Sequence, residues 1–116
     1  MSITRHEPGK RMSQAVAHGN TVYLAGQVAT DYNGTIEKQT SEVLAAIDRL
    51  LALSGTSKSK LLNVQVVLNN IADFAAMNTI YDAWIDPANP PARACIEARL
   101  AHPALKVEVI AVAALD

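Results

Sequence analysis

Two spacings of apolar residues organise the chain. From Ala92 to Leu100 the side chains alternate: Ala92, Ala94, Ile96, Ala98 and Leu100 fall on one side, Arg93, Cys95, Glu97 and Arg99 on the other. A period of two is that of a strand, here with a small apolar face and an ionic face, and Pro90 and Pro91 keep the approach to it extended. Between Glu37 and Ser54 the spacing changes. Val43, Leu44, Ile47, Leu50 and Leu51 recur at helical intervals with Glu42, Asp48 and Arg49 outside the stripe, and Gly55 stands where a left-handed glycine closes a helix. A second helix is predicted with Asp73 as its N-cap and Phe74, Met77, Tyr81 and Trp84 on its inner face, ending before Pro87. Such a stripe is read as core rather than as a binding platform.

The remaining apolar runs read as strands. Residues 1–10 mix charges with Pro8 and Gly9 and read as a lead-in, ordered only where a first strand, Arg11 to Ala17, begins. Gly19-Asn20 turns that strand into a second, Thr21 to Ala29, in which Gly26 marks a bend or a close approach to the backbone. The β-branched run Leu61 to Asn69 and the tail Lys106 to Leu115, apolar on both faces, complete the set. The order is β-β-α-β-α-β-β. Two strand-helix-strand crossovers in a short chain predict an α+β fold: one mixed sheet with both helices on one face. The other face is left apolar and uncovered, which predicts a homo-oligomer.

Length and composition narrow the classes. The 116 residues read as a single domain, 1–116, and the 50% apolar content with only 4% aromatic implies a thin, closely packed core. A formal net charge of −1 gives no electrostatic footprint for nucleic acid or an acidic membrane. Charges interrupt every apolar run before the roughly 18 residues a membrane helix needs. With one cysteine and no leader pattern, the expected compartment is the cytoplasm.

Arg93 is the residue with the most defined chemistry. An arginine on a rigid strand end offers a carboxylate two parallel donors and stays charged at any working pH; the alternative is that Arg93 and Arg99 are solvated surface charges. Cys95 has no evident base and reads as an inert thiol. His18 and His102 have no acid or cysteine at metal spacing, and there is no phosphate-cradling glycine loop or nucleophile elbow. Neither a metal nor a cofactor is expected.

Five segments, MSQAV, AGQVA, DFAAMNTIYDAW, PPARACIEARL and KVEVIAVAA, have the order and spacing of the Rid family, the reactive intermediate deaminases also known as YjgF. The chain resembles that family over nearly its whole length from Arg11. The resemblance implies a chorismate-mutase-like fold, a homotrimer and ligand clefts between subunits. It places the last strand between the AGQVA and LLNVQVVLN strands, with the PARACIE strand beyond the latter. Arg93 and Glu108 would then meet only across a subunit boundary.

The best-known branch hydrolyses 2-iminopropanoate and 2-iminobutanoate. By resemblance, Arg93 clamps the substrate carboxylate and Glu108 positions the attacking water. The main chain at Cys95 meets the imine nitrogen, and Asn78 lines the pocket. Two positions differ: Met12 stands where that branch has tyrosine, and Ala25, before Gly26, where it has serine. A buried polar ligand atom left unpaired costs about 1–3 kcal/mol, so the implied partner is a small carboxylate metabolite that is either hydrolysed or only bound. A nuclease reading is disfavoured by the charge and by the lack of a metal-ligand cluster.

Overall fold

The computed structural model describes residues 2–116. Its elements are β1 (Ile3–His6), β2 (Ala15–His18), β3 (Thr21–Leu24), β4 (Gln27–Val28), α1 (Ile36–Leu53), β5 (Leu61–Leu68), α2 (Phe74–Trp84), β6 (Ala92–Glu97) and β7 (Val107–Ala114). All strands join one seven-stranded sheet in the order β1-β2-β3-β7-β5-β6, with β4 also beside β7. Only β5 and β6 pair in parallel, so the sheet is mixed as expected.

Helix α1 follows the predicted stripe. Thr35 caps its start by accepting from the Lys38 amide at 3.2 Å. Gly55, at φ +85°, closes it, with the Thr56 amide bonded to the Leu51 carbonyl and the Gly55 amide to that of Ala52. Leu44, Ile47, Leu50 and Leu51 are fully buried, each contributing roughly 1.5–3 kcal/mol of transfer free energy. They pack with Met77 and Tyr81 of α2 onto Val22, Val64, Val66, Leu68, Val107, Val109 and Ala111 of the sheet. Both helices therefore lie on one sheet face. The opposite face leaves Ile3, Tyr23, Val28 and Ile96 exposed.

Several expectations are corrected. The lead-in is not structureless: Ile3–His6 forms an edge strand on β2, which its polar sequence concealed, while Met1 lies outside the described residues. The strand expected from Arg11 is confined to Ala15–His18, because residues 10 and 11 bend and the Gly9 amide bonds to the Met12 carbonyl at 2.8 Å, drawing this segment out of the sheet. Asp73 makes no side-chain cap; α2 grows out of a 3-10 turn, Ile71–Asp73, which Asn70 caps by accepting from the Ala72 amide at 2.9 Å. Met77 and Tyr81 are core, but Phe74 is exposed and Trp84 half-buried, its indole donating to Asp48 at 2.9 Å.

The expected bend at Gly26 takes the form of a bulge. The four-residue step from Tyr23 to Gln27 opposes the three-residue step from Val112 to Val109, so one extra residue separates β3 from β4. The Ala25 amide there bonds to the Gln14 carbonyl at 2.8 Å.

Candidate functional site

Edge strand β6 alternates as its sequence demands. Arg93 and Cys95 lie opposite the buried Val64 and Val66 of β5 and share the helix-bearing face. Ala92, Ala94 and Ile96 take the uncovered face and are exposed. It is thus the polar side of the strand that looks towards α2.

There Arg93 is half-buried and held from two directions. One guanidinium nitrogen, Nη1, donates to Asn78 Oδ1 at 2.7 Å. The guanidinium carbon sits 4.7 Å from the centre of the Tyr81 ring and 5.9 Å from that of Phe74, an arrangement in which the ring faces attract the cation. No carboxylate pairs with it: the single ion pair among the described residues is Arg49–Glu7. In front of Arg93 opens a cleft of about 340 Å³, lined with Asn78, Tyr81, Asp82, Ile85, Pro90 and Pro91. The remaining guanidinium donors are thus available to an anion. The surface-charge reading fits Arg99, which is exposed beyond the strand end, and does not fit Arg93.

Cys95 is half-buried on the same strand face. Burial pushes its thiol pKa up, against the lowering pull of Arg93, so it stays protonated at neutral pH and is a poor nucleophile.

Glu108 lies elsewhere. On β7 it pairs with Val67 and Val28, out of phase with the buried Val107 and Val109, and so projects from the uncovered face. Its carboxyl group occupies the space where a Cβ at residue 26 would stand, so the glutamate holds this position only because residue 26 has no side chain. Met12 is exposed in the β1–β2 loop along a groove of about 610 Å³ that also includes Glu7, Lys10, Arg11 and Gln14, the last of which holds the Ala25 amide through its carbonyl. One chain therefore brings together Arg93 and Asn78, and separately Glu108, Gly26 and Ala25. It does not bring the two groups together.

Two contributors escaped sequence reasoning. Gln39, fully buried on α1, donates to the Ala104 carbonyl at 3.0 Å and accepts from the Lys106 amide at 2.8 Å, latching the helix to the segment that enters β7 just before Glu108. The signal was its position one helical turn ahead of Val43. Tyr81, read as core, also floors the Arg93 cleft, which periodicity could not reveal.

Comparison with known proteins identifies the family. The family model described as Endoribonuclease L-PSP matches residues 3–115. The chain belongs to that family, the YjgF/RutC family. A RutC family protein of Haemophilus ducreyi is 45% identical over 114 residues, covering 98% of this chain and 97% of that one. The RutC family protein YoaB of Escherichia coli is 38% identical over 115 residues, covering 99% and 100%. Among solved structures, a Pseudomonas aeruginosa protein superposes with a TM-score of 0.96 at 42% identity, covering 99% of this chain and 100% of its own. A YjgF family member from Neisseria meningitidis also reaches 0.96 at 40% identity, covering 100% and 97%. These superpositions cover nearly the whole chain, so the YjgF/RutC relatives share its fold. No helix among the described residues is long and apolar enough to cross a membrane.

Proposed function

We propose that this YjgF/RutC protein captures a small 2-imino carboxylate on Arg93 and hydrolyses its C=N bond in a cleft completed by a second copy of the chain. The observation that carries the reading is the state of Arg93: oriented by Asn78, stacked on Tyr81, unpaired with any acid, and facing a cleft. A guanidinium so held binds a carboxylate with little further ordering, and the bound carboxylate orients the adjacent imino carbon for attack. Water adds to that carbon, the nitrogen takes two protons in all and leaves as ammonia, and a 2-oxo acid remains. Glu108 is the group suited to hold the water. Because Glu108 projects from the sheet face opposite Arg93, the two meet only if the uncovered apolar face packs on a partner. A homotrimer with its clefts between subunits is the assembly this reading adopts.

A second reading, binding of a 2-oxo acid without chemistry, is favoured by one feature. Met12 and Ala25 place no hydroxyl at the two positions where the better-known deaminases carry one. The test is to generate 2-iminopropanoate in the presence of the protein and follow its decay. Decay faster than in buffer, abolished by Arg93→Ala, supports the hydrolase. Decay at the buffer rate, with calorimetric binding of 2-oxobutanoate that Arg93→Ala removes, supports the binder. A salt-sensitive RNA gel shift with neither result would overturn both.

A further inference from the structure

The floor of the Arg93 cleft holds a polar group with no assigned work. Tyr81 is only 6% exposed, and its phenol, which makes no hydrogen bond with any described residue, keeps its hydroxyl open to solvent. A tyrosine buried to this degree ordinarily finds a partner for its hydroxyl. The ring is already committed, since the Arg93 guanidinium lies over it at 4.7 Å, and the hydroxyl is not sealed in: no fully buried, unpartnered side-chain atom occurs among the described residues. Tyr81 lines the cleft together with Asn78, Asp82 and Arg93. Tyr81 thus borders the space where a ligand of Arg93 would sit, and no protein group holds its hydroxyl back from such a ligand. We infer that the Tyr81 hydroxyl donates a hydrogen bond to the carboxylate held by Arg93, so that arginine and phenol act as one receptor. The inference rests on the reading of Arg93 as a carboxylate site.

The protonation state suits the role. Burial raises the phenol pKa, and Asp82 raises it further against the lowering effect of Arg93; the group is a donor throughout the neutral range. The contact also gives the site a hydroxyl donor that Met12 and Ala25 do not supply.

Tyr81→Phe keeps the ring beneath the guanidinium and removes only the donor. Titration calorimetry with 2-oxobutanoate should show affinity reduced roughly ten- to hundredfold, as for loss of a hydrogen bond to a charged acceptor, with an unchanged melting temperature. A purely structural tyrosine would lower the melting temperature and leave affinity alone. Unchanged affinity in Tyr81→Phe, alongside loss of binding in Arg93→Ala, overturns the role of Tyr81 and leaves the arginine site standing. If the wild-type protein binds no 2-oxobutanoate at millimolar concentration, the arginine site falls, and the phenol's role falls with it.

Discussion

Gly26→Ala separates the two halves of the proposed chemistry. A Cβ built at residue 26 would overlap Oε2 of Glu108 and lies 2.9 Å from its Cδ and 3.3 Å from its Cγ, inside the roughly 3.5–4.0 Å at which carbon atoms rest. Gly26 does not have a positive φ, so alanine meets no backbone penalty, and the reduced freedom of the unfolded chain returns about 0.4–1 kcal/mol. Crowding the glutamate costs about 1–3 kcal/mol. The net destabilisation is then at most about 2.6 kcal/mol, and less if the flexible carboxyl end swings aside. The variant should fold. What it cannot keep is the carboxylate position, and a displacement of about 1 Å at a reacting group can reduce turnover on the order of a hundredfold. Arg93, on the opposite sheet face, is untouched. Because the Arg93 clamp keeps Asn78 and Tyr81, Gly26→Ala should still bind 2-oxobutanoate, with affinity within roughly tenfold of wild type by calorimetry, while 2-iminopropanoate decay slows about a hundredfold. A folded variant with the wild-type rate would refute the assignment of Glu108 as the group that holds water.

Other outcomes follow from the same geometry. Asn78→Asp puts a carboxylate in place of the oxygen 2.7 Å from Arg93 Nη1; the resulting ion pair competes with the ligand and should weaken 2-oxobutanoate binding roughly tenfold or more by calorimetry, and undiminished affinity would contradict it. Ile96, 56% exposed on the uncovered face, should be an interface residue, so Ile96→Lys is expected to lower the sedimentation coefficient at micromolar concentration. A wild-type protein that already sediments as a monomer would count against the assembly. Glu42 accepts from the Thr30 amide at 2.6 Å and hydroxyl at 2.7 Å and from the Asp31 amide at 3.4 Å, and these bonds hold its carboxyl pKa below the ordinary value. A group lowered in the folded state stabilises above the unfolded-state value, and that contribution disappears as the pH falls through the folded one. Melting curves of wild type and Glu42→Gln should therefore differ at neutral pH and converge in acid; a gap constant with pH would contradict this.

The period-two run around Arg93 and the helical stripe of α1 were legible because burial there follows the backbone repeat. Strand β1 was not: Ile3–His6 lies on the sheet edge with one half-buried residue, so no alternation betrays it. Arg11 and Met12 looked like strand because the bond that turns the chain, Gly9 to Met12, runs between backbone groups and leaves no mark on side-chain identity. Asn78 alone reads as an exposed or capping residue on α2, and becomes an orienting group only once β6 is laid beside it. The separation of Glu108 from Arg93 depends on registers across three strands, which strand order from resemblance anticipated and spacing within either strand could not show.

The most direct test is a crystal of the assembled protein soaked with 2-oxobutanoate. The ligand carboxylate is expected within about 3 Å of the Arg93 guanidinium, with the Tyr81 hydroxyl on the same carboxylate and Glu108 from a neighbouring copy facing the 2-oxo carbon. A cleft empty at saturating ligand, or a ligand bound with Arg93 in contact only with Asn78 and solvent, would contradict it.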